Sequence, residues 1–193
     1  ERMAMSRMKI GKDAIICRAA QMANESGEQS ISLKLLAQDL GIQSPSLYYY
    51  FKSLDDLKRE LMLYGWHQME EQLLRSMIGV SGYDAIRAVS YAFYKFAVDN
   101  PGVFNVMLWY NQYEDEETSE NTSELFATLH RIMDSLNISE ESRLHLIRTV
   151  RGFLQGFILL INHKAFGDTP SIEDSFEFSL NVLIEGMKSL EGK

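Results

Sequence analysis

Apolar residues recur at helical spacing along the whole of this chain, and nowhere do they alternate with polar ones long enough to mark a strand. A first helix is expected from about Lys9 to Ser26, its stripe made by Ile15, Ile16, Ala19, Met22 and Ala23, with Gly27 as the stop. A short helix follows from the Ser30/Ser32 caps to Gly41. Ser44-Pro45 then opens another, with serine read as the cap and proline at the first helical position. Ser53 starts a long helix reaching about Met77. Tyr83 to Asn100 is closed by Asn100-Pro101-Gly102, and Val103 to Tyr110 is short and apolar. The acidic run Asn111 to Glu117 reads as a solvated loop with no metal site. Ser123 to Leu136, Ser139 to Lys164 and Ser171 to Leu190 complete an all-α pattern of about nine helices.

Composition narrows the class. With 193 residues, 46% of them hydrophobic and 24% charged, the chain can bury a substantial core. The longest unbroken apolar run, Phe157 to Ile161, is too short to cross a bilayer, so no membrane partner is expected. One cysteine, Cys17, leaves no internal disulfide, and no basic segment followed by an apolar stretch opens the chain; both point to the cytoplasm. His67, His130, His145 and His163 lie on separate helices or faces, without metal-ligand spacing. No enzyme, metal or cofactor is expected. Charge is unevenly spread: residues 1–60 carry nine Lys/Arg against eight Asp/Glu, while residues 61–193 carry ten against nineteen. The acidity therefore lies in the second part, and an anionic partner would meet the first.

Residues 32–51 place two short helices around Gly41, the pattern of a helix-turn-helix, though αα-hairpins share this spacing. On the second helix Leu47 and Phe51 fall on one side, one turn apart. Ser44, Pro45, Ser46, Tyr48 and Tyr49 fall on the other. Short hydroxyls let a helix end approach phosphate, and a tyrosine offers both a hydroxyl and a ring for a thymine methyl.

Ile15 and Ala19, then Gly27, Leu33-Lys34-Leu35-Leu36-Ala37, Gly41 and Leu47-Tyr48-Tyr49-Tyr50-Phe51 resemble the amino-terminal signature of TetR-type transcriptional regulators. The resemblance runs without a gap from about Lys12 to Leu57. It implies an all-α homodimer with a helix-turn-helix DNA-binding domain over residues 9–57. An effector-binding and dimerisation domain would occupy residues 58–193. It also implies operator duplex DNA as partner, released when a small molecule binds the larger domain. By position, Ser32 and Lys34 would touch phosphates. Ser44, Pro45 and Ser46 would face bases or phosphates, and Tyr48 and Tyr49 the backbone. Where the family often has lysine this chain has Leu54, so Lys52 or Lys58 must supply that contact or binding is weaker. The alternative is a helical small-molecule or lipid carrier of the same fold with lost or weak DNA binding.

In the larger domain, Leu144 to Lys164 and the last helix each carry two apolar or small-residue faces, as helices do that pack on their own core and on a symmetry mate. Gly152, Gly156, Phe157, Phe178, Val182 and Gly186 are the candidates for that interface. Aromatics and methionines of the middle helices make adaptable walls for a hydrophobic or amphipathic effector. The candidates are Trp66, His67, Phe93, Phe96, Phe104, Met107, Phe126 and Met133, with Trp109 beside them. Arg148, Arg151 and Gln155 are candidates for its polar end. Asn100-Pro101-Gly102-Val103-Phe104 and Asp174-Ser175-Phe176-Glu177 resemble one TetR subgroup, but Arg151-Gly152 stands where that subgroup has His-Gly, so no effector follows from it.

Overall fold

The computed structural model describes residues 10–108 and 116–192; Trp109 and the first five residues of the acidic run lie outside this range. The described residues form nine α-helices, one 3-10 turn at Glu28–Ser30 and no strand. The helices are α1 Lys12–Ser26, α2 Leu33–Asp39, α3 Ser44–Tyr48, α4 Leu54–Ser76, α5 Gly82–Asp99, α6 Pro101–Met107, α7 Glu116–Asp134, α8 Glu140–Asn162 and α9 Ile172–Lys188. Three ends differ instructively from the expected ones. Gln43, not Ser44, is the N-cap of α3, so Ser44 and Pro45 both lie inside the first turn. Pro101 ends α5 and is also the first residue of α6, where its missing N–H is harmless. Glu116 and Glu117 open α7 instead of belonging to a loop, and acidic groups suit a helix N-terminus.

The chain divides into two compact units. One holds residues up to Gly65 and a segment beginning at Gly102; the other holds Trp66–Pro101 and the chain from α7 onward. The division thus falls inside α4, where the sequence placed it at 57/58, and it transfers α6 to the first unit. Two glycines and one asparagine explain the transfer. A Cβ at Gly102 would overlap the carbonyl of Ala23 on α1. A Cβ at Gly65 would lie 2.6 Å from Met107 Sδ and 2.7 Å from Val103 Cγ1. Asn24 Oδ1 accepts from the free backbone N–H groups of Gly102 and Val103, both at 3.1 Å, and so caps α6 from α1.

In the second unit two apolar clusters meet. Ile86, Met133, Leu136, Ile138 and Met187 form one, and Leu154, Phe157, Phe176, Leu180 and Ile184 the other. By length and mean hydropathy α8 would pass for a bilayer-crossing helix, which a count of its unbroken apolar run misses. Leu154, Phe157 and Ile158 of that helix are nonetheless buried within the protein.

Candidate nucleic-acid interface and effector cavity

Local chemistry fixes the helix-turn-helix. Ser32 caps α2, its Oγ accepting from Leu35 N at 3.1 Å. Gly41 turns the chain at φ +64, the left-handed region that a side chain resists. Leu36, Leu47 and Phe51 are wholly buried, so α3 has a fixed inner side. Its outer side is open: Pro45 and Ser46 are exposed, Tyr48 is 57% and Tyr49 85% exposed, while Ser44 is half-buried. Two large rings held in water by a helix whose other face is fully packed are available for contact rather than for folding. Tyr50 behaves differently, since its hydroxyl donates to the carbonyl of Ile10 at 3.0 Å and ties the turn after α3 to the residues just ahead of α1.

Of the expected cations, Lys34 and Lys52 are exposed and Lys58 is half-buried. The backbone N–H of Lys52 donates to Asp56 Oδ2, and Asp56 N donates to Ser53 Oγ, which together close the N-terminus of α4. Leu54, the first residue of that helix, is half-buried. A two-pronged ion pair holds α1 to α2: Arg18 Nε donates to Asp39 Oδ2 at 2.6 Å and Arg18 Nη2 to Oδ1 at 2.9 Å. The hydrogen bond from Arg18 holds the Asp39 carboxyl below its ordinary range, with the attraction between the charges adding to it.

The second unit contains a cavity of about 90 Å³. Trp66, Met69 and Leu73 of α4 and Ile86, Val89 and Phe93 of α5 form one part of its wall. Phe126, Leu129, Ile132 and Met133 of α7 and Ile147, Val150 and Leu154 of α8 form the rest. The rings of Trp66 and Phe126 lie 6.2 Å apart. Among the described residues Ser90, Arg151 and Gln155 add polar side chains to these; Arg151 is exposed, and Ser90 Oγ already donates to the carbonyl of Ile86 at 2.8 Å.

Six residues expected to meet a ligand are therefore brought together here: Trp66, Phe93, Phe126, Met133, Arg151 and Gln155. Five are not. His67 and Arg148 are exposed, Phe96 is buried away from the cavity, and Phe104 and Met107 belong with α6 to the first unit. Met69, another methionine of the middle helices, also lines the cavity, whereas the aliphatic walls Leu73, Val89 and Ile132 carry no sequence signal because they resemble any helical core. Phe157, a candidate for contact with a second copy, is buried and packs against Phe166 at 4.8 Å and Phe176 at 5.4 Å. Gly152, Gly156 and Gly186 have nothing within 4 Å of where a Cβ would stand, and Phe178 and Val182 are exposed.

Residues 86–183, just over half of the chain, match the family model described as the tetracyclin repressor-like C-terminal domain. The uncharacterized HTH-type transcriptional regulator YobS of Bacillus subtilis is 26% identical over 182 residues, covering 94% of each chain. The class C tetracycline repressor protein of Escherichia coli is 36% identical over 58 residues, 28% of this chain and 26% of that protein. Among solved structures, a TetR variant from Acinetobacter baumannii AYE in complex with minocycline superposes with a TM-score of 0.72 at 20% identity, over 96% of this chain and all of the other.

Proposed function

The chain belongs to the TetR-like family and is a DNA-binding transcriptional regulator; from that premise we propose that α3 reads operator DNA and that occupation of the second unit's cavity releases it. The exposed side of α3, with Tyr48 and Tyr49 in solvent above a buried Leu47, is the observation that carries this reading. Pro45 and Ser46 reach base edges in the major groove, Tyr48 and Tyr49 lie along the backbone, and Ser32, Lys34 and Lys52 hold phosphates. Half-buried Ser44 and Lys58 stand at the margin of this surface. The protein works in the cytoplasm as a repressor.

A helix-turn-helix of this size reads a two-fold operator as a dimer. The supporting feature is the outer surface of α8 and α9, where Leu144, Leu160, Phe178 and Val182 are each between 46% and 70% exposed beside glycines that nothing within the chain crowds. Two copies of α8 and α9 would form a four-helix interface there. Helix α4 supplies the control, since it begins in the first unit and its second half carries Trp66, Met69 and Leu73 of the cavity wall.

Selecting bound sequences from a randomised duplex pool, then measuring fluorescence anisotropy on the selected and a random duplex at about 50 and 200 mM salt, tests this reading. A preference of about 10³-fold or more for the selected sequence is expected. Equal, feeble binding to both duplexes would overturn it in favour of a carrier.

A further inference from the structure

The cavity's walls are largely hydrocarbon, and one exposed cation borders them. Arg151 is the only charged side chain among the described residues that line it, and no described carboxylate does. Arg18 and Arg143 each have an acid close by, Asp39 and Asp134, the latter at 2.7 Å. Arg151 has no hydrogen-bond or ion-pair partner among the described residues. Gln155, one turn along α8, adds an amide that can donate, and it likewise makes no hydrogen bond within the described chain. An apolar pocket bordered by an exposed guanidinium and an amide matches a ligand with a hydrocarbon body and a single anionic end. A cationic ligand would meet like charge, and a wholly apolar one would leave the guanidinium unused.

Size limits the body. At about 90 Å³ the cavity is smaller than the roughly 150 Å³ void that holds a benzene ring, so a short chain fits better than a fused-ring system. We propose that the effector is a short-chain monocarboxylate, its tail between Trp66, Phe93 and Phe126 and its carboxylate held by Arg151 with help from Gln155. This assignment rests on the reading of the cavity as the effector site.

Calorimetric titration of the full chain with butanoate, butanol and butylammonium tests it, alongside anisotropy on the selected operator with the same compounds. Butanoate is expected to bind at least tenfold more tightly than either analogue and to release DNA. Arg151→Gln should remove that preference while leaving butanol affinity unchanged, and Arg151→Lys should restore most of it. Far-UV circular dichroism of both variants checks that an exposed position has not disturbed the fold. If butanol binds as well as butanoate, or Arg151→Gln leaves the preference intact, the anionic assignment is wrong while the cavity keeps its role. If none of the three binds, the short-chain assignment falls, and DNA binding, measured separately, still stands.

Discussion

Glycines in the two units solve opposite problems. Gly65 and Gly102 sit where their own chain leaves no room: Met107, Val103 and the backbone of Ala23 occupy the space a Cβ would need. Gly152, Gly156 and Gly186 lie in the middle or last turns of long helices, face open space and gain nothing from within the chain. Glycine in a helix interior is less favourable than alanine by roughly 1 kcal/mol. In the first unit close packing of α6 on α1 and α4 accounts for that loss. In the second unit no contact with a described residue does, and the neighbouring exposed Phe178 and Val182 direct attention to another copy of the chain.

One substitution applied to both sets gives the largest contrast. Gly102→Ala must displace backbone, since the obstacle is the Ala23 carbonyl rather than a mobile side-chain end. A loss of about 3 kcal/mol or more in urea unfolding is expected, with operator binding lost alongside it. Gly152→Ala, in contrast, should leave unfolding unchanged or raise stability by up to roughly 1 kcal/mol. Equal effects at the two positions would break the comparison.

Bulk rather than propensity probes the second copy. Gly156→Leu and Phe178→Asp should leave the helical circular dichroism intact and weaken dimerisation by about 2 kcal/mol, roughly thirtyfold in Kd, by sedimentation equilibrium. A wild-type chain that sediments as a monomer at all concentrations would show that these glycines answer to something else.

The same division explains what could be read in advance. Helix-turn-helix signals are local: Ser32 caps a residue three places on, Gly41 sets one turn, and Leu47 and Phe51 are a single turn apart. Each can be judged from neighbours in sequence. The cavity is defined by α4, α5, α7 and α8 converging, so membership depends on packing that no helical wheel encodes. Phe93 lines it and Phe96, one turn further, does not. Phe104 and Met107 look like pocket walls until the Asn24 cap, 78 residues from Gly102, draws α6 into the other unit. Large aromatics attract attention, whereas Val89 and Ile132 line the same space with nothing in the sequence to distinguish them from ordinary core.

Smaller effects follow for the reading surface. Tyr49→Ala removes a ring that contributes nothing to the core, so stability should change by less than about 0.5 kcal/mol. Operator affinity should fall by about 1 kcal/mol, roughly fivefold. Lys34→Gln should weaken binding to selected and random duplexes alike and reduce the salt dependence by about one ion. A loss confined to one sequence would make Lys34 a base reader instead.

The two units also differ in the pH at which their ties fail, and this gives the smallest expected effect. In the first, Asp39 is held below its ordinary range by the hydrogen bond from Arg18, so the tie between α1 and α2 is present at neutral pH. It is lost as pH falls below about 4, through the lowered folded-state value. In the second, burial and then the hydrogen bond to Glu191 push the Tyr83 hydroxyl up to about 12. That hydroxyl donates to Glu191 Oε1 at 2.7 Å, joining the start of α5 to the chain beyond α9. Because the folded value is raised, its contribution is complete below the ordinary tyrosine value of about 10 and disappears as pH rises from there toward 12. Both ties lie at the surface, where solvent screens them, so each should shift the melting curve only slightly. Asp39→Asn should flatten the acid limb without touching the alkaline one, and Tyr83→Phe should do the reverse. Melting curves from pH 3 to 12 on the two variants separate the limbs; a variant that altered both would mean that the units do not unfold through independent ties.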